Sequence, residues 1–167
     1  VSAGTREAEL AARSPGDGRP VLALPGGCGS DKRTAMLRRV LTKAGYDCHG
    51  WALGAHWPGG VEILSQIDAR VDAIRPGSGA PVTLIGWSLG GLVAREYAKF
   101  APAKTAAVIT LGSPFSGSPR DNRAWRMWQW AARTRIEDNP LGQSLGVKPP
   151  VPTLAIWSPR DGVISPH

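Results

Sequence analysis

The sequence predicts an α/β protein, a parallel sheet of about five strands with helices on both faces. Three observations carry this reading. Short apolar runs alternate with segments of helical periodicity five times along the chain. The connections between successive runs are too long for hairpins, which leaves crossovers and therefore parallel strands. Runs such as Val21-Leu22-Ala23-Leu24 are also continuously apolar. A strand covered on both faces needs that, whereas a strand with one wet face would alternate.

Taken in order, Val1 to Arg13 reads as a short polar helix and Ser14 to Gly18 as a loop. The first strand, Val21 to Leu24, ends in Pro25-Gly26-Gly27-Cys28-Gly29. Ser30 or Asp31 is expected to cap a helix whose apolar positions are Met36, Leu37, Val40, Leu41 and Ala44, with Gly45 as its stop. Tyr46 to Trp51 reads as the second strand, and Ala52 to Gly60 as a loop. Leu64, Ile67, Val71 and Ile74 fall on one face of a second helix, ended by Arg75-Pro76-Gly77. Val82 to Ile85 is the third strand. The helix after it carries Leu92, Val93, Tyr97 and Phe100 and stops before Pro102. Ala106 to Leu111 is the fourth strand, closed by Gly112-Ser113-Pro114. Phe115 to Pro150 breaks the rhythm, and Val151 to Trp157 resumes it as a fifth strand before Ser158-Pro159-Arg160-Asp161-Gly162.

The chain of 167 residues suffices for one domain with a real core and not for two. Residues 1–167 are therefore read as a single domain with an insertion over 120–150. A net charge of +7 raises the question of nucleic acid or an anionic membrane. The basic residues are scattered, with no run of five and no nucleic-acid module signature, so a solvated basic surface and no nucleic-acid partner are expected. Cys28 and Cys48 are too few for a disulfide framework and lack metal spacing. They read as reduced thiols of a cytoplasmic protein. No stretch has the length and apolarity of a membrane span or a signal region.

The chemistry concentrates at Gly86-Trp87-Ser88-Leu89-Gly90-Gly91, a G-x-S-x-G pattern with an apolar strand before it and a helical pattern after it. Such a serine must stand on a tight, strained turn so that its hydroxyl clears the backbone at the end of the sheet. Side chains at positions 86 and 90 would collide with the strand and helix packed around that turn. The helix start offers free N–H groups, that of Leu89 among them, to an oxyanion formed beside Ser88. The competing reading is a glycine-rich turn with an idle serine.

With Leu24-Pro25-Gly26-Gly27-Cys28-Gly29-Ser30, Leu111-Gly112-Ser113-Pro114-Phe115 and Trp157-Ser158-Pro159-Arg160-Asp161-Gly162, this motif resembles the α/β-hydrolase superfamily, specifically its bacterial lipase and esterase-like hydrolases. The motifs stand in the family's order over residues 21–162. The resemblance implies Ser88 as nucleophile, Asp161 as the acid that orients its base, and the N–H groups of Gly27 and Leu89 as the oxyanion hole. Many relatives carry His-Gly where this chain has Pro25-Gly26, which leaves Cys28 as the alternative donor. No metal or organic cofactor is implied.

The base is the missing part. In the family the histidine comes well after the acid, on a loop beyond one more strand. His167 stands six residues past Asp161, too close for that strand, so the chain is expected to lack its last strand and histidine loop through C-terminal truncation. His49 and His56 belong to the second strand and its loop, about 10 Å from the Ser88 strand at ordinary strand spacing. In the insertion, Trp125, Trp128 and Ala132 share one helical face among arginines. In the family this region often forms a lid, and here it could instead pack into its own core or touch a membrane surface. Trp87, Phe115, Trp125 and Trp128 are the candidate substrate-binding aromatics. The expected function is a serine hydrolase of carboxylic esters, acting on a small-molecule or lipid substrate. A non-catalytic binding protein on the same fold and an acyltransferase are the alternatives.

Overall fold

The apolar run of the first strand lies second from one edge of a five-stranded parallel sheet. A computed structural model describes residues 5, 8, 9, 12, 15–27, 29–55, 62–75, 79–115 and 146–158. Strand β1 (Pro20–Leu24) is buried at every residue. It pairs on one side with β2 (Asp47–Gly50) and on the other with β3 (Val82–Trp87). Strand β4 (Thr105–Leu111) follows against β3, and β5 (Thr153–Ile156) against β4. The order is β2-β1-β3-β4-β5, all parallel.

Among the described residues, helices α1 (Ala35–Lys43), α2 (Glu62–Ile74) and α3 (Leu89–Phe100) supply the crossovers from β1 to β2, β2 to β3 and β3 to β4. The expected spacing of α2 holds, since Leu64, Ile67, Val71 and Ile74 are all buried, with Ile63 beside them. They form one cluster with Leu22, Leu24, Leu84 and Val108 of the sheet and Leu92, Val93 and Tyr97 of α3. Val21 and Ala23, which alternate with Leu22 and Leu24, are buried as well but lie outside that cluster. Both faces of β1 are therefore covered, which is why its sequence is apolar throughout.

Several local details depart from the expectations. Of the N-terminal helix only Thr5, Ala8, Glu9 and Ala12 are described, each helical and exposed. Neither Ser30 nor Asp31 caps α1 with its side chain. The chain enters through a 3-10 turn (Asp31–Thr34), and no side-chain cap bond forms there or at α1. The second strand stops at Gly50, one residue early, because Trp51 turns away to become fully buried, its Nε1 donating to the Gly54 carbonyl at 3.0 Å. Met36 and Phe100, expected in the core, stand exposed in terminal turns of α1 and α3.

Candidate active site

Strand β3 ends at Trp87 and α3 begins at Leu89, so Ser88 alone makes the turn between them. Its backbone sits at φ 52°, ψ −119°, a conformation almost reserved for glycine. Two bonds hold it there. The Ser88 N–H donates to the Leu111 carbonyl of β4 at 2.8 Å, and the Gly91 N–H donates to the Ser88 carbonyl at 3.0 Å. The Ser88 hydroxyl forms no capping bond to α3.

The glycines around Ser88 are demanded by packing. A Cβ on Gly86 would strike the Gly90 carbonyl, and one on Gly90 would strike the carbonyls of Pro25 and Leu24. A Cβ on Gly91 would fall on the Ser113 hydroxyl. Helix α3 thus starts pressed against the ends of β1, β3 and β4. It is buried from Leu89 to Ala98, nearly all round rather than on one stripe.

The β1 exit runs beside the serine. Leu24 is in register with Gly86, and a Cβ on Gly26 would stand 3.5 Å from Trp87 Cε3 and 3.6 Å from Ser88 Cβ. The Gly29 N–H donates to the Gly26 carbonyl at 2.9 Å, closing a tight turn that carries the half-buried Gly27. Leu89, as the first residue of α3, has an N–H with no acceptor inside the helix. The two expected oxyanion donors therefore lie on segments that flank Ser88.

Trp87 is exposed, with its ring over Gly26. Phe115 is half-buried against the core, and the Arg95 guanidinium lies over its ring, 4.0 Å from the centroid. Arg95 itself is 5% exposed and donates from Nη2 to the Val147 carbonyl at 3.1 Å. It thereby links Phe115 and Val147, which lie on opposite sides of residues 116–145. Burial pulls its guanidinium below the ordinary value, with the Glu96 carboxylate pulling the other way. Sequence reasoning passed over Arg95. The available signal was a charged pair, Arg95-Glu96, placed between the apolar positions Val93 and Tyr97.

Asp161, Trp125, Trp128, Cys28, His56 and His167 lie outside the described residues. His49 is described and is not beside Ser88. It sits on edge strand β2, two strands from β3, with Nε2 2.8 Å from Asp47 Oδ1 in a contact without hydrogen-bond alignment. Cys48 is a free thiol pushed up to about 11 by burial and by Asp47, against Arg38, so it stays protonated at neutral pH and is no nucleophile. Among the described residues no cluster of three or more His, Cys, Asp or Glu could hold a metal ion, and no helix is long and apolar enough to cross a membrane.

A parallel sheet in this order, with a strained serine on the tight turn between its central strand and the following helix, defines a doubly covered parallel α/β fold with a G-x-S-x-G elbow. Residues 19–146 match the model of the alpha/beta hydrolase fold family, and the chain belongs to that family. Among solved structures it is similar to a Burkholderia cenocepacia protein assigned as an aryl esterase, at 15% identity and a TM-score of 0.64, covering 91% of this chain and 76% of that one. It is also similar to a carboxylesterase of the thaumarchaeon Nitrososphaera gargenis, with 18% identity, a TM-score of 0.52 and coverage of 62% and 41%. A third is the Bacillus licheniformis lipase in its propeptide form, with 24% identity, a TM-score of 0.50 and coverage of 78% and 30%. The chain thus spans less than half the length of the last two. Among curated proteins no sequence match was found.

Proposed function

We propose that the protein is a serine hydrolase that cleaves carboxylic esters through an acyl-enzyme, with Ser88 as nucleophile. The observation that carries this is the backbone of Ser88. A non-glycine residue held at φ 52° between a central strand and a helix, its hydroxyl not spent on capping, has no structural purpose that a glycine would not serve better. The family's esterase and lipase structures support the same chemistry.

In this reading Ser88 Oγ attacks the ester carbonyl while a general base takes its proton. The carbonyl oxygen becomes an oxyanion held by the N–H groups of Gly27 and Leu89. Collapse of the tetrahedral intermediate expels the alcohol, which takes the proton back from the base, and water then hydrolyses the acyl-serine by the same route. Asp161 orients the base, a histidine outside the described residues. Trp87, Phe115, Trp125 and Trp128 wall the apolar part of a small-molecule or lipid ester. No metal or organic cofactor enters these steps.

The test is p-nitrophenyl ester hydrolysis together with fluorophosphonate labelling. Ser88→Ala should lose labelling and at least about a thousandfold in turnover, as removal of a triad member does. A variant that keeps most of the wild-type turnover would end this reading.

A further inference from the structure

Asp31 is tied into the structure at both its side chain and its backbone. Its carboxylate accepts two backbone N–H bonds from the exit of β2, Oδ1 from Trp51 at 2.9 Å and Oδ2 from Ala52 at 3.1 Å. Its carbonyl accepts the Thr34 hydroxyl at 3.2 Å and Arg38 Nη2 at 2.9 Å. Charge-assisted acceptor bonds of this kind are the stronger ones. They reach across 20 and 21 residues of chain to the neighbouring strand.

The receiving end is shaped for this carboxylate. A Cβ on Gly50 would fall on the Asp31 carboxyl group, so residue 50 leaves the space that Asp31 fills. Trp51 is fully buried and anchors the donor end, while Arg70 Nε donates to the Gly50 carbonyl at 3.0 Å. Ala52 sits at φ 61°, strained for a residue with a side chain, and its N–H is one of the two that Asp31 holds. None of this caps a helix.

We infer that Asp31 is a positioning residue that fixes the turn carrying Gly27 beside Ser88, by bonding that turn's far end to the exit of β2. The inference rests on the proposed reading for its catalytic consequence. Pro25 enters the turn from the rigid end of β1, and Asp31 leaves it two residues after Gly29. Between them the sequence is Gly26-Gly27-Cys28-Gly29-Ser30, three of five residues being glycine, the residue with the most backbone freedom. The Gly29 to Gly26 bond closes the turn locally but does not say where the turn stands relative to the serine. With both ends held, the Gly27 amide is confined to one place. With the Asp31 end released it would spread over several, and an oxyanion donor displaced by a fraction of an ångström loses much of its value.

The test compares wild type with Asp31→Asn, which keeps the size of the side chain but replaces one acceptor oxygen with an amide NH2 that donates and cannot accept. Gly50→Ala is the second variant, because it displaces the carboxylate without altering the turn's own sequence. Amide hydrogen exchange, ester kinetics and thermal melting are measured on each. Exchange at Gly29, Trp51 and Ala52, whose amides are bonded in the turn and at Asp31, should speed up by at least about tenfold, with the amides of Leu84, Ile85, Val108 and Ile109 unchanged. The kcat for a p-nitrophenyl ester should fall roughly tenfold with KM within about twofold, since the donor acts on the transition state more than on the bound ester. Unchanged exchange at Gly29 overturns the inference, whatever the kinetics. A loss of kcat that only tracks the fraction of unfolded protein overturns it too. If wild type shows neither turnover nor phosphonate labelling, the hydrolase reading fails by itself, and the exchange data alone decide whether Asp31 holds the turn.

Discussion

The strain at Ser88 is measurable apart from any reaction. A residue with a Cβ in this region of backbone space costs on the order of 1–3 kcal/mol, while a glycine adopts it freely and loses about 0.5–1 kcal/mol in backbone entropy. Ser88→Ala keeps the Cβ and hence the strain, and Ser88→Gly releases it. Both should be inactive, but the glycine variant should melt about 2–4 °C above the alanine variant, the shift that about 1 kcal/mol produces in a domain of this size. An alanine variant that melts higher would show that no strain is stored at this position. At this scale the elbow was legible in the sequence, because its pattern is local and Gly86 is required by a contact with Gly90 inside the motif itself. Asp31 was not. Read locally it is a helix cap, and only the distant amides of Trp51 and Ala52 reveal what its carboxylate does.

Between elements, α2 and α3 are joined by a polar clasp as well as by apolar packing. The hydroxyl of the fully buried Tyr97 donates to Asp68 Oδ1 at 2.8 Å, and Lys104 Nζ bridges Asp68 at 2.8 Å and Asp72 at 2.9 Å. The Lys104 hydrogen bond is the main cause that holds the Asp68 carboxyl below its usual range, ahead of the opposing effect of burial, and the Tyr97 hydroxyl adds to it. Burial pushes the Tyr97 phenol upward, and Asp68 pushes it further. Asp68→Ala leaves the phenol without this acceptor and should cost roughly 1–3 kcal/mol. The sign with pH follows from the lowered carboxyl. Its stabilising effect is present above the unfolded-state value near 3.9 and is lost as pH falls through the lower folded-state value. Melting temperature measured from pH 7 down to about pH 3 should therefore drop less steeply for Asp68→Ala than for wild type. Parallel curves would show that the carboxyl is not stabilised by the fold. The apolar half of this interface was readable from the helical spacing of Leu64, Ile67, Val71 and Ile74. The clasp was not, since Asp68 and Lys104 lie 36 residues apart and nothing local links them.

Across the whole molecule the sheet is unequal at its two edges. β2 is backed by α1, whereas β5 presents Leu154, Ile156 and Trp157 at 55%, 51% and 56% exposure. Among the described residues β5 pairs only with β4, and within them its other side carries unpaired backbone groups beside apolar side chains, a combination that favours strand-to-strand association. Ile156→Lys places a charge on that edge. It should leave the melting temperature within about 1–2 °C, as surface changes usually do, and raise the concentration at which light scattering shows association. A large fall in melting temperature would mean that Ile156 is packed against something in the folded protein.

The sequence by itself determined the alternation of strand and helix, the burial of β1 on both faces, and the place of Ser88 at the turn between a strand and a helix. Each depends on periodicity or on contacts within one turn of chain, which a run of residues records directly. Tertiary structure alone decided that the carboxylate of Asp31 goes to the β2 exit, that Arg95 is buried over Phe115, and that α3 is covered nearly all round. Those outcomes depend on which segments the strand order brings side by side. A buried charge or an unclaimed carboxylate takes its partner from that neighbourhood, not from its own stretch of chain.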